Sequence, residues 1–460
     1  MIQPSVAESV VLLTLGYYLL AKFLYLFLHT SGVVGLVAQT QRRVWEELYQ
    51  PFSSVFLPGI AVIVPAYNEA ESIERVVQSV LDLDYPAVDL IVVNDGSTDA
   101  TMERLTAAFD LTPVPAGAPV DLPCEPVCGI YRAEEIEGFL VIDKEKGGKS
   151  DALNAGIWLT EQPLFCVLDA DTVIVRDGLL RAVRPFLVRP SDTVATGGTI
   201  HVGARSGGED DTGPVGFPGR SLASLQILEY LQGFYSGRLG MEQLGGLVLI
   251  SGAFGVFKTD LVREIGGYTT DSVTEDFELV MRIHRHLAES GRDYRVTFVP
   301  DPIARTDVPG SFRALARQRR RWYRGLVDTL LRYRGMLANP RYGRAGLVVL
   351  PIVLVVEAIG PILEGLGYLV VPLLFVTGQL SLAYTAFFFG VTIGVGIFLS
   401  WLGIVSEVVG FRRYDHPHEV LWLLATGIVE NLGYQQWKTL VKLHGLVQYV
   451  RGIRSWDPAQ

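Results

Sequence analysis

The sequence predicts an α/β domain with a mostly parallel sheet, flanked by transmembrane helices. Three observations lead there. Short buried-type strands alternate with helical repeats between residues 60 and 330. Long apolar stretches lie on both sides of that region, at 9–28 and from 345 onward. Aspartates fall at the ends of successive strands, which is where open α/β sheets bind ligands.

Composition agrees with a membrane-associated protein of more than one part. The chain has 460 residues, more than one ordinary domain, and is 49% hydrophobic but only 19% charged. The net charge of -10 argues against a nucleic-acid partner, which calls for a basic surface. Residues 311–344 instead carry a run of arginines abutting an apolar segment, as expected where a chain meets anionic membrane lipid on the cytoplasmic side. Cys124, Cys128 and Cys166 make an odd count that fits a reducing compartment. Cys124 and Cys128 lack a second pair or a nearby histidine to complete a zinc site, so a loop holding two thiols is the reading kept.

The stretch from Val10 to Leu28 is long enough to cross a bilayer core of roughly 30 Å. It lacks the basic leader of a cleaved signal peptide, and Glu8 precedes it, so an uncleaved anchor is expected. Arg42 and Arg43 follow, which puts the chain from about residue 40 in the cytosol. Residues 346–376 and 383–409 are strongly apolar. The first contains Pro351, Gly360 and Pro361 and reads as a kinked span or a tight hairpin. Its Glu357 and Glu364 require partners at that depth. Arg412 and Arg413 mark a return to the cytosol, and 419–434 reads as interfacial or re-entrant. The expected organisation is an anchor at 1–40, a catalytic domain at 41–310, an amphipathic interface helix at 311–344 and membrane helices at 345–460. That gives three to five crossings and an inner or plasma membrane location with the catalytic domain cytosolic.

Within the core, Ile60 to Asn68 reads as a strand, Glu69 to Leu83 as a helix, and Leu90 to Val93 as the next strand. Leu164 to Leu168 is a further strand, with Asp169-Ala170-Asp171 at its end. Asn68, Asp95, Asp169 and Asp171 are therefore expected to face one crevice. Lys146 to Asn154 passes from a flexible turn into a helix and lacks the glycine spacing of a P-loop. Residues 111–136 and 203–219 have no strong period and read as surface loops.

These residue types suit a sugar nucleotide. Asp95 is placed for its base and Asp169 for its ribose. Asp171 is placed for Mg²⁺ or Mn²⁺ carried with a diphosphate, because hard cations prefer oxygen ligands. An Asp-x-Asp pair alone is common on solvated turns; its place after a buried strand strengthens it. Thr274-Glu275-Asp276 opens an amphipathic helix that Thr274 is positioned to cap. The two acids could merely complement the helix dipole. As chemistry, Asp276 is a base for an acceptor hydroxyl, and no second carboxylate for a covalent intermediate is apparent, which suits a single inverting displacement. Gln318, Arg321 and Trp322 share one face of a helix expected from Ser311 to Tyr333, offering a guanidinium to a leaving group and a ring to a sugar. Ser251 to Phe254, after the apparent strand Leu247 to Ile250, leaves room for an acceptor. His284 and His286 read as surface residues.

In order along the chain, Val64-Pro65-Ala66-Tyr67-Asn68-Glu69, Asn94 to Asp99, Gly147-Gly148-Lys149, Asp169-Ala170-Asp171, Thr274-Glu275-Asp276 and Gln318 to Trp322 resemble the motifs of the membrane-bound family 2 glycosyltransferases. That branch contains cellulose, hyaluronan, chitin and poly-N-acetylglucosamine synthases. The resemblance spans roughly 60–325. It implies a cytosolic GT-A domain, a UDP-sugar donor, a divalent cation, inversion at the anomeric carbon and a carbohydrate or lipid-linked acceptor. Carried over by motif, Pro65, Tyr67, Asn68, Glu69, Asp95, Lys149 and Asp169 would bind the donor, and Asp171 the metal. Asp276, with Glu275, Gln318, Arg321 and Trp322, would serve transfer. The expected product is a growing polysaccharide; the alternative is one sugar placed on a lipid.

Overall fold

A computed structural model describes residues 6–47, 57–115, 121–203, 221–411 and 416–453. It separates into two compact units that interleave along the chain. One comprises Met1–Gln41, Gly216–Gly246 and Val308–Gln460; the other comprises Arg42–Val215 and Leu247–Asp307.

The second unit is built on ten strands. In chain order they are β1 (Ile60–Ala66), β2 (Val88–Asp95), β3 (Leu111–Val114), β4 (Val127–Ala133), β5 (Phe139–Lys144), β6 (Leu164–Leu168), β7 (Thr172–Ile174), β8 (Thr193–Val202), β9 (Phe254–Lys258) and β10 (Arg295–Thr306). They form one sheet in the order β3-β4-β5-β2-β1-β6-β9-β8-β10-β7. The centre, β5-β2-β1-β6, is parallel as expected. Beyond it the sheet is mixed, because β3, β4, β7 and β9 pair antiparallel.

Burial explains the parallel centre. Ile60 to Val64 have no exposed surface, as a strand covered on both faces requires. The Ile73–Leu81 helix turns Ile73, Val76, Val77 and Val80 inward at helical spacing, starting later than residue 69 because Asn68 to Ser72 form a turn. The Lys149–Leu159 helix is buried along most of its length.

Two readings need correction here. Residues 111–136 are not simply a surface loop: β3 and β4 add an antiparallel ribbon to β5. An edge ribbon is half solvated, so it does not need the apolar run that marks a central strand. Leu247 to Ile250 is not a strand either; the sheet resumes only at Phe254, after the turn. The 203–219 segment beyond residue 203, and Arg412 and Arg413, lie outside the described residues.

The first unit is helical. Three of its helices are long and apolar enough to cross a membrane among the described residues: Val11–Val37, Ala345–Val376 and Leu382–Val408. Tyr17, Tyr18, Val371 and Phe388 form a buried cluster within this unit. The Tyr18 hydroxyl donates to the Glu364 carbonyl at 3.2 Å. The acids find partners, as buried carboxylates require. Glu357 accepts from Tyr25 at 2.9 Å and pairs with Lys442 at 3.1 Å. Glu364 accepts from Thr439 at 3.0 Å. The segment after residue 416 is a Pro417–Val429 helix, a kink at Leu432 and Gly433, and a Gln435–Val450 helix.

Candidate active site

The loops after β1 and β2 hold each other. Asn68 sits at φ +59, a conformation its short polar side chain tolerates, and its Oδ1 accepts the Thr98 amide at 2.8 Å. The Asn68 amide donates to Ser97 Oγ at 3.0 Å, and the Glu69 amide donates to Thr101 Oγ1 at 2.9 Å. Pro65 and Tyr67 lie in the same stretch, with the Lys146 ammonium 3.6 Å from the centre of the Tyr67 ring. Asp95, at the end of β2, is buried and accepts the amides of Gly147 at 2.9 Å and Gly148 at 2.7 Å.

Across from these loops the charged groups converge. Lys149 opens its helix and lies 2.5 Å from Asp169 and 3.2 Å from Glu275, and it donates to the Gly252 carbonyl at 2.9 Å. The Gly252 amide donates in turn to Asp276 Oδ2 at 2.9 Å. A Cβ built on Gly252 would stand 3.2 Å from both Lys149 Nζ and Asp276 Oδ2, and 3.4 Å from Glu275 Oε1. The three charged groups therefore surround one point above this glycine. A small cavity there is lined by Lys149, Ser251, Gly252, Tyr268, Glu275 and Asp276, among others.

The electrostatics follow from burial and crowding. Burial pushes Asp276 up to about 6, helped by the Glu275 charge and opposed by Lys149 and two amide donors. Burial pushes Asp171 up to about 7, with Asp169 and Glu69 adding to it. Glu69 is also raised, chiefly by burial, with Asp169 adding to it. For Lys149, burial works against the charge, but Asp169 and Glu275 outweigh it and hold the ammonium above its ordinary range.

Asp171 Oδ1 accepts from Thr172 at 3.1 Å and Thr306 at 3.3 Å. Its carboxyl is raised chiefly by burial, with Asp169 and Glu69 adding to it, and this grouping of acids suits a hard cation. Among the described residues, no group of three His, Cys, Asp or Glu side chains is gathered to hold a metal by protein ligands alone. A cation of the Mg²⁺ type needs only one or two carboxylates when substrate phosphates supply the rest.

Thr274 occupies the cap position of the Glu275–Glu289 helix, yet its side chain makes no capping hydrogen bond. His284 is not on the surface: it is 3% exposed, with one ring nitrogen 2.8 Å from the Tyr294 hydroxyl and the other 2.8 Å from the Leu247 carbonyl. A polar partner for each ring nitrogen lets a histidine sit on the buried face of that helix, and burial holds it down at about 4.

Gln318, Arg321 and Trp322 belong to the helical unit, on the Phe312–Arg332 helix. Ser311 caps that helix by accepting the Ala314 amide at 3.3 Å. The sequence did not single out what orients this segment. Arg319 is 5% exposed, lies 2.6 Å from Glu229, donates to Gln318 Oε1 at 2.5 Å, and stacks 4.1 Å from the Trp322 ring centre. Glu229 also pairs with Lys438 at 2.8 Å and accepts from Tyr434 at 2.9 Å. Nothing marks Glu229 in the sequence except a lone acid in an apolar helix, Ser221–Leu231.

Comparison with known proteins agrees with this layout. A family described as "Glycosyl transferase family group 2" matches residues 164–399, just over half of the chain. "Glycosyl transferase family 2" matches residues 61–116. The poly-beta-1,6-N-acetyl-D-glucosamine synthase of Staphylococcus epidermidis is 28% identical over 275 residues, 60% of this chain and 56% of that protein. The synthase of the same name from Staphylococcus aureus strain COL is 28% identical over 277 residues, with the same two shares. The match thus spans little more than half the length of these curated relatives. Among solved structures, the mannosyltransferase PcManGT from Pyrobaculum calidifontis, in complex with GDP-Man and Mn²⁺, superposes with a TM-score of 0.52 at 18% identity. That superposition covers 90% of this chain and 99% of the other, and it identifies the fold as GT-A.

Proposed function

Because the chain belongs to glycosyl transferase family group 2, we propose that it transfers sugar from a UDP-sugar to a growing polysaccharide, with inversion and with a divalent cation, at the cytosolic face of a membrane. The observation that carries this reading is the convergence of Lys149, Glu275 and Asp276 on Gly252, next to Asp169. The matched relatives are named for poly-β-1,6-N-acetyl-D-glucosamine synthesis, which favours an N-acetylglucosamine donor and a polymeric product.

In this mechanism Asp95, Asn68, Glu69, Pro65 and Tyr67 hold the nucleoside end of the donor, and Asp169 and Lys149 hold its ribose and phosphates. Asp171, with Asp169 beside it, would hold Mg²⁺ or Mn²⁺, which would supply positive charge against the donor diphosphate. Asp276 takes the proton from the acceptor hydroxyl as that oxygen attacks the anomeric carbon. Its carboxyl, at about 6, is ionised at neutral pH yet basic enough to accept a proton. Glu275 is tied to Lys149 and keeps negative charge beside Asp276. Gln318, Arg321 and Trp322 serve the departing pyrophosphate and the acceptor sugar. The three long apolar helices support a multi-pass protein, and the arginines after the first of them support a cytosolic catalytic unit.

The test is to incubate membranes with Mn²⁺ and radiolabelled UDP-N-acetylglucosamine, UDP-glucose or GDP-mannose, then size and digest the product. A polymer from a UDP-sugar is expected. One sugar on an extractable lipid would replace the polymer reading, and no transfer from any donor would end the enzymatic one.

A further inference from the structure

We infer that Lys144 is a positioning residue for the donor-binding turn: its buried ammonium clamps Asp95 and Asp151 together and so fixes Gly147, Gly148 and the start of the helix that delivers Lys149. The inference rests on the reading above that this turn holds the donor nucleotide.

Lys144 ends β5, and its side chain has no exposed surface. Its Nζ lies 2.8 Å from Asp95 and 2.5 Å from Asp151, and it also donates to the Glu145 carbonyl. Both carboxylates reach onward to the backbone. Asp95 accepts the amides of Gly147 and Gly148, so two successive N–H groups close on one anion. Asp151 accepts the Glu125 amide at 2.8 Å, tying in the segment that leads to β4. The turn is packed to match. A Cβ on Gly147 would come within 2.2 Å of the Asp151 carboxyl, and Gly148 lies at φ +96. Lys149 follows at once and reaches Asp169 and Glu275.

The chemistry explains why a cation is needed at this place. Two carboxylates held this close to one another, each under 10% exposed, repel and lose hydration unless a charge compensates them. An apolar side chain of the same length would fill the space but leave both anions unmatched. Asp95 would then turn toward water, releasing the amides of Gly147 and Gly148. The turn would drift, and Lys149 with it.

The experiment uses the full chain in detergent, with UDP and MnCl₂ as the probe for calorimetry and the transfer assay for kinetics. Lys144→Met is expected to weaken UDP binding and raise the donor KM about tenfold or more, while kcat at saturating donor and the acceptor KM change by less than about threefold. A Lys144→Met protein that melts like wild type and binds UDP with unchanged affinity would overturn the clamp. If Lys144→Met does not fold, Asp151→Asn decides, because it keeps the Lys144–Asp95 pair. It is expected to weaken UDP binding about threefold, and unchanged affinity would overturn the proposal. A wild-type chain that binds UDP but transfers no sugar would end the functional reading and leave the affinity comparison standing.

Discussion

Lys149 Nζ lies 2.5 Å from Asp169 Oδ1, so the helix start after the glycine turn is bonded directly to the end of the central strand β6. The contact joins two motifs that are separate in sequence. Through Gly252 it also reaches Asp276, since that one residue accepts from Lys149 and donates to Asp276.

Replacing Asp276 with Asn should remove the proposed base but keep the fold, because Asn has the same shape and its one oxygen still accepts one of the two amides, Gly252 or Phe277, that Asp276 takes on separate oxygens. Transfer should fall by ~10²–10⁴-fold with UDP affinity nearly unchanged. In the wild type, activity should rise with pH through about 6, where Asp276 ionises. A pH–rate profile that is flat from 5 to 8 would remove Asp276 from the base role.

The same substitution should change how stability depends on pH. Asp276 has an ordinary value of 3.8 and sits at about 6 when folded. Its folded carboxyl therefore holds a proton more readily than its unfolded one. The stability this provides is complete below the ordinary value and is lost as pH rises through the folded one. An asparagine side chain does not titrate and has no such loss. The stability of the Asp276→Asn protein relative to wild type should therefore rise by on the order of 1–3 kcal/mol between pH 4 and pH 8, from an offset set by the amide that Asn leaves without an acceptor. Thermal melts of both proteins across that range measure it.

Asp171→Asn should abolish stimulation by Mn²⁺. EDTA should stop wild-type transfer, and added Mn²⁺ or Mg²⁺ should restore it. Transfer that persists in EDTA at wild-type rate would show that the grouping of acids around Asp171 serves something other than a cation.

Gly252→Val should block the cavity rather than unfold the domain. Its Cβ alone would come within 3.2 Å of Lys149 and Asp276, and the added methyls would fill the cavity beside the proposed base. Transfer should drop at least about a hundredfold while UDP binding falls by less than about threefold. Equal losses of both would point to a distorted nucleotide site instead.

Glu229→Gln tests the helical unit. Arg319 and Lys438 would lose the one carboxylate they share, at a site where Glu229 is only 12% exposed. Broken buried pairs of this kind cost about 3 kcal/mol, somewhat less here because Gln still accepts hydrogen bonds. The melting temperature in detergent should fall accordingly, and transfer should drop along with it because Arg319 orients Gln318 and Trp322.

The readable parts of this chain were those with one strong local signal. β6 begins and ends at the predicted residues, because a buried strand is a short apolar run closed by turn residues. The Phe312–Arg332 helix lies between its predicted ends, with Ser311 capping it as a polar residue before an amphipathic repeat should. What was hidden depends on partners far along the chain. β3 and β4 carry little apolar pattern and exist because β5 offers an edge. His284 looks like a surface histidine until Leu247 and Tyr294 are brought to it. Lys144 and Glu229 belong to no motif, and only the fold reveals that each serves two opposite charges.

The Tyr18 hydroxyl bonds to a carbonyl 346 residues downstream, within a unit assembled from three separate stretches of chain. During synthesis the first helix therefore leaves the ribosome long before its packing partners exist. On the membrane reading proposed above, it waits in the bilayer, held by lipid alone, while the strands of the catalytic sheet are still being made. Truncating the protein after the sheet would strand that helix, and such a fragment should be cleared by the cell's proteases rather than accumulate as a soluble enzyme.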